Sequence, residues 1–162
     1  MHYRVIRPIW RNSEGSALIE TAIILPVLFA LVFGVFEFSW LTCQQHLILT
    51  GIRDAARYIA RSASPNDPTI KQDAKYLATT GAIDGDAPRV NGWTVDDIDI
   101  SYNFINNPTD NNGLTNFRGG AVIESVTVST TFTVPSLGFF SILGLSPPTF
   151  TVSHQERVIG SG

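Results

Sequence analysis

The sequence predicts an α+β fold: a long N-terminal transmembrane helix that continues into a small domain containing a short helix and an antiparallel sheet of about three to four strands. Three observations predict it. Between Ala17 and Leu41 the only polar residues are Glu20, Thr21, Glu37 and Ser39, and no Lys or Arg occurs between Arg11 and Arg53. After this run the apolar residues fall at spacings of three and four as far as Ala63. From Ile98 onward they alternate with polar ones, the period of a half-buried strand.

The apolar run decides the class of protein. It is about 25 residues long, and a helix needs about 20 to cross a hydrocarbon core of roughly 30 Å. A buried core helix is the competing reading, but the run is apolar around its whole circumference. Arg4, Arg7 and Arg11 stand directly before it, and basic residues tend to stay on the cytoplasmic side. This charge bias predicts a cytoplasmic N-terminus, a single-pass span over residues 16–42 and an extracytoplasmic domain over 43–162. A secretory signal would have a shorter apolar region and a small-x-small cleavage site. Ser39-Trp40-Leu41-Thr42-Cys43 offers no such site, and it is equally poor as a lipoprotein signal.

The carboxylates inside the run are candidate functional residues, because an ionised group in the bilayer is costly without a partner. Glu20 lies near the start of the run, where no basic side chain of the same helix reaches it. A cut between Gly15 and Ser16 would create an α-amino group at i,i+4 spacing from Glu20, in its own chain or a neighbour. Solvation of Glu20 at the membrane interface is the plainer alternative. Pro26 removes one backbone donor and is expected to kink or loosen the helix. Gly34 and Ala30 place small residues one turn apart, a candidate helix-contact face. Trp40 reads as an interfacial anchor. Glu37, beside it, is either solvated at the interface or turned toward a partner.

Gly15-Ser16-Ala17-Leu18-Ile19-Glu20 resembles a type IV prepilin processing site, in which a peptidase cuts after Gly and Glu is the fifth mature residue. The run through Pro26 and Phe33-Gly34-Val35-Phe36-Glu37-Phe38 resembles, more specifically, the TadE-like family of minor pilins and pseudopilins of the tight-adherence pilus. The specific resemblance covers residues 15–42 and extends loosely through Asp54-Ala55-Ala56-Arg57-Tyr58. It implies a basic prepilin-type leader over residues 1–15 and processing at Gly15, Ser16 and Glu20. It implies assembly contacts at Glu20, Pro26, Gly34 and Glu37. The implied function is that of a non-enzymatic pilus subunit supporting assembly and adhesion. Its implied partners are prepilin peptidase, other pilin and pseudopilin subunits, the assembly machinery and inner-membrane lipid. The implied location is the bacterial inner membrane, or the pilus and cell surface after extraction. An uncleaved, single-pass envelope binding protein is the alternative.

Beyond the span, Leu47, Ile48, Gly51, Ile52, Ala55, Ala56, Ile59, Ala60 and Ala63 form an amphipathic stripe over 43–63, with Arg53, Arg57 and Arg61 on another face. Ser64-Pro65-Asn66-Asp67-Pro68 ends this helix. Asp67 and Pro68 then read as N-cap and N1 of a second helix that Gly81 closes. Strands are expected from Ile98, over 121–134 and over 149–159. In the middle one Val122, Val126, Val128, Phe132 and Val134 share a face, with Glu124 and Thr130 as exceptions. Residues 106–120 read as a poorly ordered polar loop. Residues 135–148 read as an apolar connector that covers the core, lies at the membrane or meets another subunit.

Charge and motifs narrow the function further. The leader carries three Arg and Glu14, a sum of +2, so a net charge of −3 leaves −5 for the rest. No basic patch with interleaved aromatics points to nucleic acid. His2, His46 and His154 are far apart, no metal-ligand spacing occurs, and no Gly-x-Ser-x-Gly elbow or phosphate-binding loop is present, so neither a catalytic site nor a cofactor is expected. Cys43 is the single cysteine and reads as small packing at the interface or an interchain bridge.

Overall fold

The computed structural model describes residues 13–159. The leader and its arginines lie almost wholly outside the described residues. Helix α1 (Ser13–Arg61) is a single helix of 49 residues, about 70 Å long at 1.5 Å per residue. It is helical through Pro26, which has no N–H to donate to the Ala22 carbonyl. From Gly15 onward the helix is long and apolar enough to cross a membrane.

Two environments divide α1. Residues 15–33 are exposed throughout. From Glu37 a stripe turns inward, and Leu41, Ile48, Ile52, Ala55, Ala56, Ile59 and Ala60 lie in the core. The stripe follows the expected spacing, except that Ala63 is exposed beyond the helix end. Gly51 is buried on it. A Cβ there would lie 2.2 Å from the Ala78 carbonyl oxygen and 2.9 Å from the Trp93 ring. The glycine therefore sets the distance between α1 and the second helix.

That helix, α2 (Pro68–Thr80), begins as expected. Asp67 is extended at the N-cap and accepts a hydrogen bond from Thr69 N, with Pro68 in the first turn. Gly81 closes the helix in the left-handed region, at φ 89°, where a side chain would be strained. Ala74, Ala78 and Thr79 are its buried residues. The following connection is tied down rather than loose. Arg89 N donates to Thr79 O, and the Arg89 guanidinium meets Asp54 of α1 at 2.8 Å. Val90 and Trp93 are buried at its end, just before a 3-10 turn at Val95–Asp97.

Strands β1 (Ile98–Asn106), β2 (Val122–Thr133) and β3 (Thr149–Arg157) form an antiparallel sheet in the order β1-β2-β3. The register places Ile98, Ile100 and Tyr102 opposite Thr130, Val128 and Val126. It places Phe132 opposite Phe150, and Thr130 also opposite Val152. This inner face packs with α1 and the aromatic and aliphatic residues around it into one core. The other face carries Ser and Thr, which bond across strands: Thr131 with Thr151 at 3.1 Å, Thr133 with Thr149 at 2.7 Å. Thr130, an exception to the apolar pattern, is buried because its hydroxyl accepts the Trp93 indole N–H at 3.1 Å. The ends of the pattern depart from it. Phe104 and Val122 are exposed.

The loop at 106–120 corrects its expectation of poor order. Asn107 is buried. Its amide donates to the carbonyls of Phe117 and Gly120 and accepts from Phe117 N. Asp110 closes an inner turn by accepting from Asn112 N and Leu114 N. Two side chains thus do the work that secondary structure would do for the backbone polar groups.

Candidate functional site: the exposed helix and the connector beside it

The candidate residues fall into two groups on α1. Gly15, Ser16 and Glu20 lie in its first turns and are exposed, with open space around the Gly15 position. Among the described residues Glu20 has no hydrogen-bond or ion-pair partner within the chain. Pro26 is also exposed, in the middle of the apolar surface. These four residues are not brought together with any other element. What they present is a lone helix whose large apolar side chains, among them Leu18, Ile23, Phe29 and Leu31, stand half or more exposed. In water such a surface is unfavourable by about 25 cal/mol per Å² of apolar area, so it requires lipid or a neighbouring helix.

Gly34 and Glu37 belong to the second group. They meet the apolar connector between β2 and β3. Chain entry is fixed by Trp40, whose indole N–H donates to Pro135 O at 3.2 Å. Two residues later Leu137 N donates to Glu37 Oε1 at 2.9 Å. A short helix, α3 (Phe139–Ile142), follows, with the Phe139 ring stacked at 5.9 Å from Phe33 and close to Gly34. Glu37 is only 1% exposed, and its Oε2 is the one buried side-chain polar atom without a partner among the described residues. Phe33, Phe36, Glu37, Leu137, Phe139 and Ile142 line an apolar groove of about 700 Å³.

Of the alternatives for Glu37, the structure therefore takes a third: it faces the protein's own connector. No sequence signal identified that contact, because a lone carboxylate on an apolar helix says that a donor is needed but not which one. The small residue at Gly34 is filled by Phe139 of the same chain rather than left open. The packed region thus reaches down α1 to Phe33, ahead of the expected domain boundary at residue 43. Cys43 is exposed.

The Arg row on α1 is exposed, as a solvated face should be. One member, Arg57, lies 3.7 Å from Glu156 on β3. Beside it a groove of about 640 Å³, lined by Asp54, Tyr58, Ile70 and Leu77, runs along the α1–α2 seam. The Tyr58 hydroxyl donates to Asp73, and its pKa is raised, by burial first and then by the Asp73 charge. These groups satisfy one another and converge on no common point. No group of three or more His, Cys, Asp or Glu side chains among the described residues is placed to hold a metal ion.

Residues 15–57 match the family described as TadE-like protein. This segment of the chain is similar to that family. The match runs from the first turn of α1 through the exposed apolar stretch and into the buried stripe, ending four residues before the helix does. It thus covers the exposed apolar stretch and the part of the helix onto which the domain packs. Helix α2, the connector and all three strands lie outside it. No curated protein and no solved structure matches the chain.

Proposed function

We propose that this chain is a non-enzymatic minor pilin or pseudopilin subunit of a tight-adherence pilus, supporting pilus assembly and adhesion. The observation that carries this reading is that the TadE-like match includes a long apolar stretch of helix, residues 15–33, that the rest of the described chain leaves exposed. Residues 16–42 hold the subunit in the bacterial inner membrane, with the leader in the cytoplasm and the α+β domain outside. Prepilin peptidase cuts between Gly15 and Ser16. Other pilin and pseudopilin subunits then replace lipid around the helix as the subunit enters an assembly.

Glu20 is the assembly contact in this reading. Among the described residues it has no partner in its own chain, and the Ser16 amino group of a neighbouring processed subunit supplies one. The pair would fix the axial register between helices. Crosslinking and affinity isolation from cells carrying the assembly machinery test this. Glu20→Gln keeps size and hydrogen bonding but removes the charge, and it should lose recovery of the other pilus components while the domain stays folded. Recovery equal to the wild type would reduce Glu20 to an interfacial residue. Orientation is tested by a reporter fused after Gly162, which should be active only outside the cytoplasm.

A further inference from the structure

We propose that the connector between β2 and β3, residues 135–148, inserts into the outer leaflet of the membrane beside α1, and that Glu37 is the residue that positions it there. The occupant of the exposed apolar face of the connector is the lipid bilayer. This inference rests on the reading of α1 as a membrane span.

Depth is the first support. Trp40 is the interfacial aromatic of the span, and it holds the point where the connector begins. From there the chain runs back along α1 as far as Phe33, seven residues earlier, which is about 10 Å along a helix axis. A segment touching Phe33 therefore lies below the Trp40 level by about the depth at which apolar interfacial elements sit, roughly 5–10 Å into the headgroup and acyl boundary.

The surface of the connector suits that depth. Leu137, Ile142, Leu143 and Leu145 are all more than half exposed, Ile142 to 79%. Leu137 and Ile142 line the same groove as Phe33 and Phe36. No Asp, Glu, Lys or Arg occurs between Glu124 and Glu156. A water-exposed loop of this length ordinarily carries charge, and the 106–120 loop of the same domain carries Asp110 and Arg118.

Backbone pairing at the tip and at Leu137 is a partial support. In hydrocarbon every N–H needs a partner within the protein. At the tip, Ile142, Leu143, Gly144 and Leu145 all donate to carbonyls of the same turn, at 2.8 to 3.4 Å. Ser141 turns its hydroxyl back onto Gly138 O. Pro135, Pro147 and Pro148 have no donor to satisfy. Leu137 N, on the descending limb, has no carbonyl in reach and is taken by Glu37 Oε1. The carboxylate within the apolar helix thus satisfies one backbone donor of the segment that runs back along it.

The test uses the full chain with Cys43→Ser and one new cysteine at a time, labelled with bimane and reconstituted into phosphatidylcholine vesicles with or without brominated acyl chains. Leu28→Cys reports the span, Ile142→Cys the connector and Asn111→Cys the aqueous loop. Quenching is expected at both Leu28 and Ile142 and not at Asn111. Adding Glu37→Leu should abolish quenching at Ile142 alone, while Glu37→Gln, which retains an acceptor oxygen, should preserve it. Quenching at Leu28 without quenching at Ile142 would overturn the insertion while leaving the span intact. Absence of quenching at Leu28 would remove the span itself, and the proposal with it. Protection of Ile142 from aqueous thiol reagents without lipid quenching, growing with protein density, would show a second copy of the chain on this face and would equally overturn it.

Discussion

At the scale of single residues, the domain depends on a few side chains whose substitution has a defined sign. Gly51 is the sharpest case. Helix propensity alone says that Gly51→Ala should stabilise α1 by about 1 kcal/mol. The close approach of Ala78 O reverses that. Gly51→Ala should instead destabilise the full chain in detergent micelles by about 1–3 kcal/mol, the usual range for overpacking, as read by denaturant unfolding. Stabilisation would mean that α2 can move away freely. Trp93 and Thr130 form a second such point, with an indole N–H and a hydroxyl paired inside the core. Thr130→Val leaves the indole without an acceptor and should cost about 1–3 kcal/mol. Combining it with Trp93→Phe should cost less than the sum of the two changes.

These residues also mark what the sequence could and could not convey. Asp67, Pro68 and Gly81 were legible because a helix end is a local problem with a local solution. Trp93 was not, because one aromatic in a turn-rich stretch has no period to betray its burial. Thr130 appeared only as a break in an alternating pattern. Glu37 announced a need without naming Leu137, 100 residues away.

At the scale of elements, periodicity carried the helices and strands, since each buries one face against a common core. It carried nothing about the 106–120 loop, whose order comes from Asn107 and Asp110 rather than from a repeated pattern. Asn107→Ala should therefore release the segment around Thr115–Gly120 while leaving the sheet in place. Hydrogen exchange should show the Phe117 amide losing protection, with β2 and β3 amides largely unchanged. Parallel loss in the strands would tie the loop to the stability of the whole domain. For α2, Asp67→Ala should cost about 1 kcal/mol through loss of the cap on Thr69 N.

At the scale of the whole molecule, charge placement sets a pH range. Burial first, and then the Glu124 charge, raise the Tyr102 phenol from its ordinary value of 10.0 to about 12. Its hydroxyl donates to Pro65 O on the turn between the helices. A raised acid holds its proton more firmly in the fold than in the unfolded chain. Its contribution is complete below pH 10.0 and is lost as pH rises toward about 12. Glu156 behaves oppositely. The hydrogen bond from His154 is the main cause lowering its pKa below 4.5, with further help from the charges of His154 and Arg57. Its contribution is present above 4.5 and drains away as pH falls. Unfolding midpoints against pH should show both limbs, and Tyr102→Phe should reduce the dependence between pH 10.0 and about 12, with the raised Tyr58 phenol retaining its own share.

The same scale holds the central claim, that a TadE-like anchor makes this chain a processed, membrane-held pilus subunit. The sequence made the apolar helix plain through its length and uniform apolarity, and the same helix continues into an amphipathic stretch on which the core packs. The most direct measurement is the intact mass of the full chain isolated from membranes, with active and with inactivated prepilin peptidase. The account predicts a species running from Ser16 to Gly162 when the peptidase is active and the full length when it is not. Replacing Gly15 with a bulky residue should give the full length in both. A chain beginning at Met1 or near Cys43 in the presence of active peptidase would contradict it.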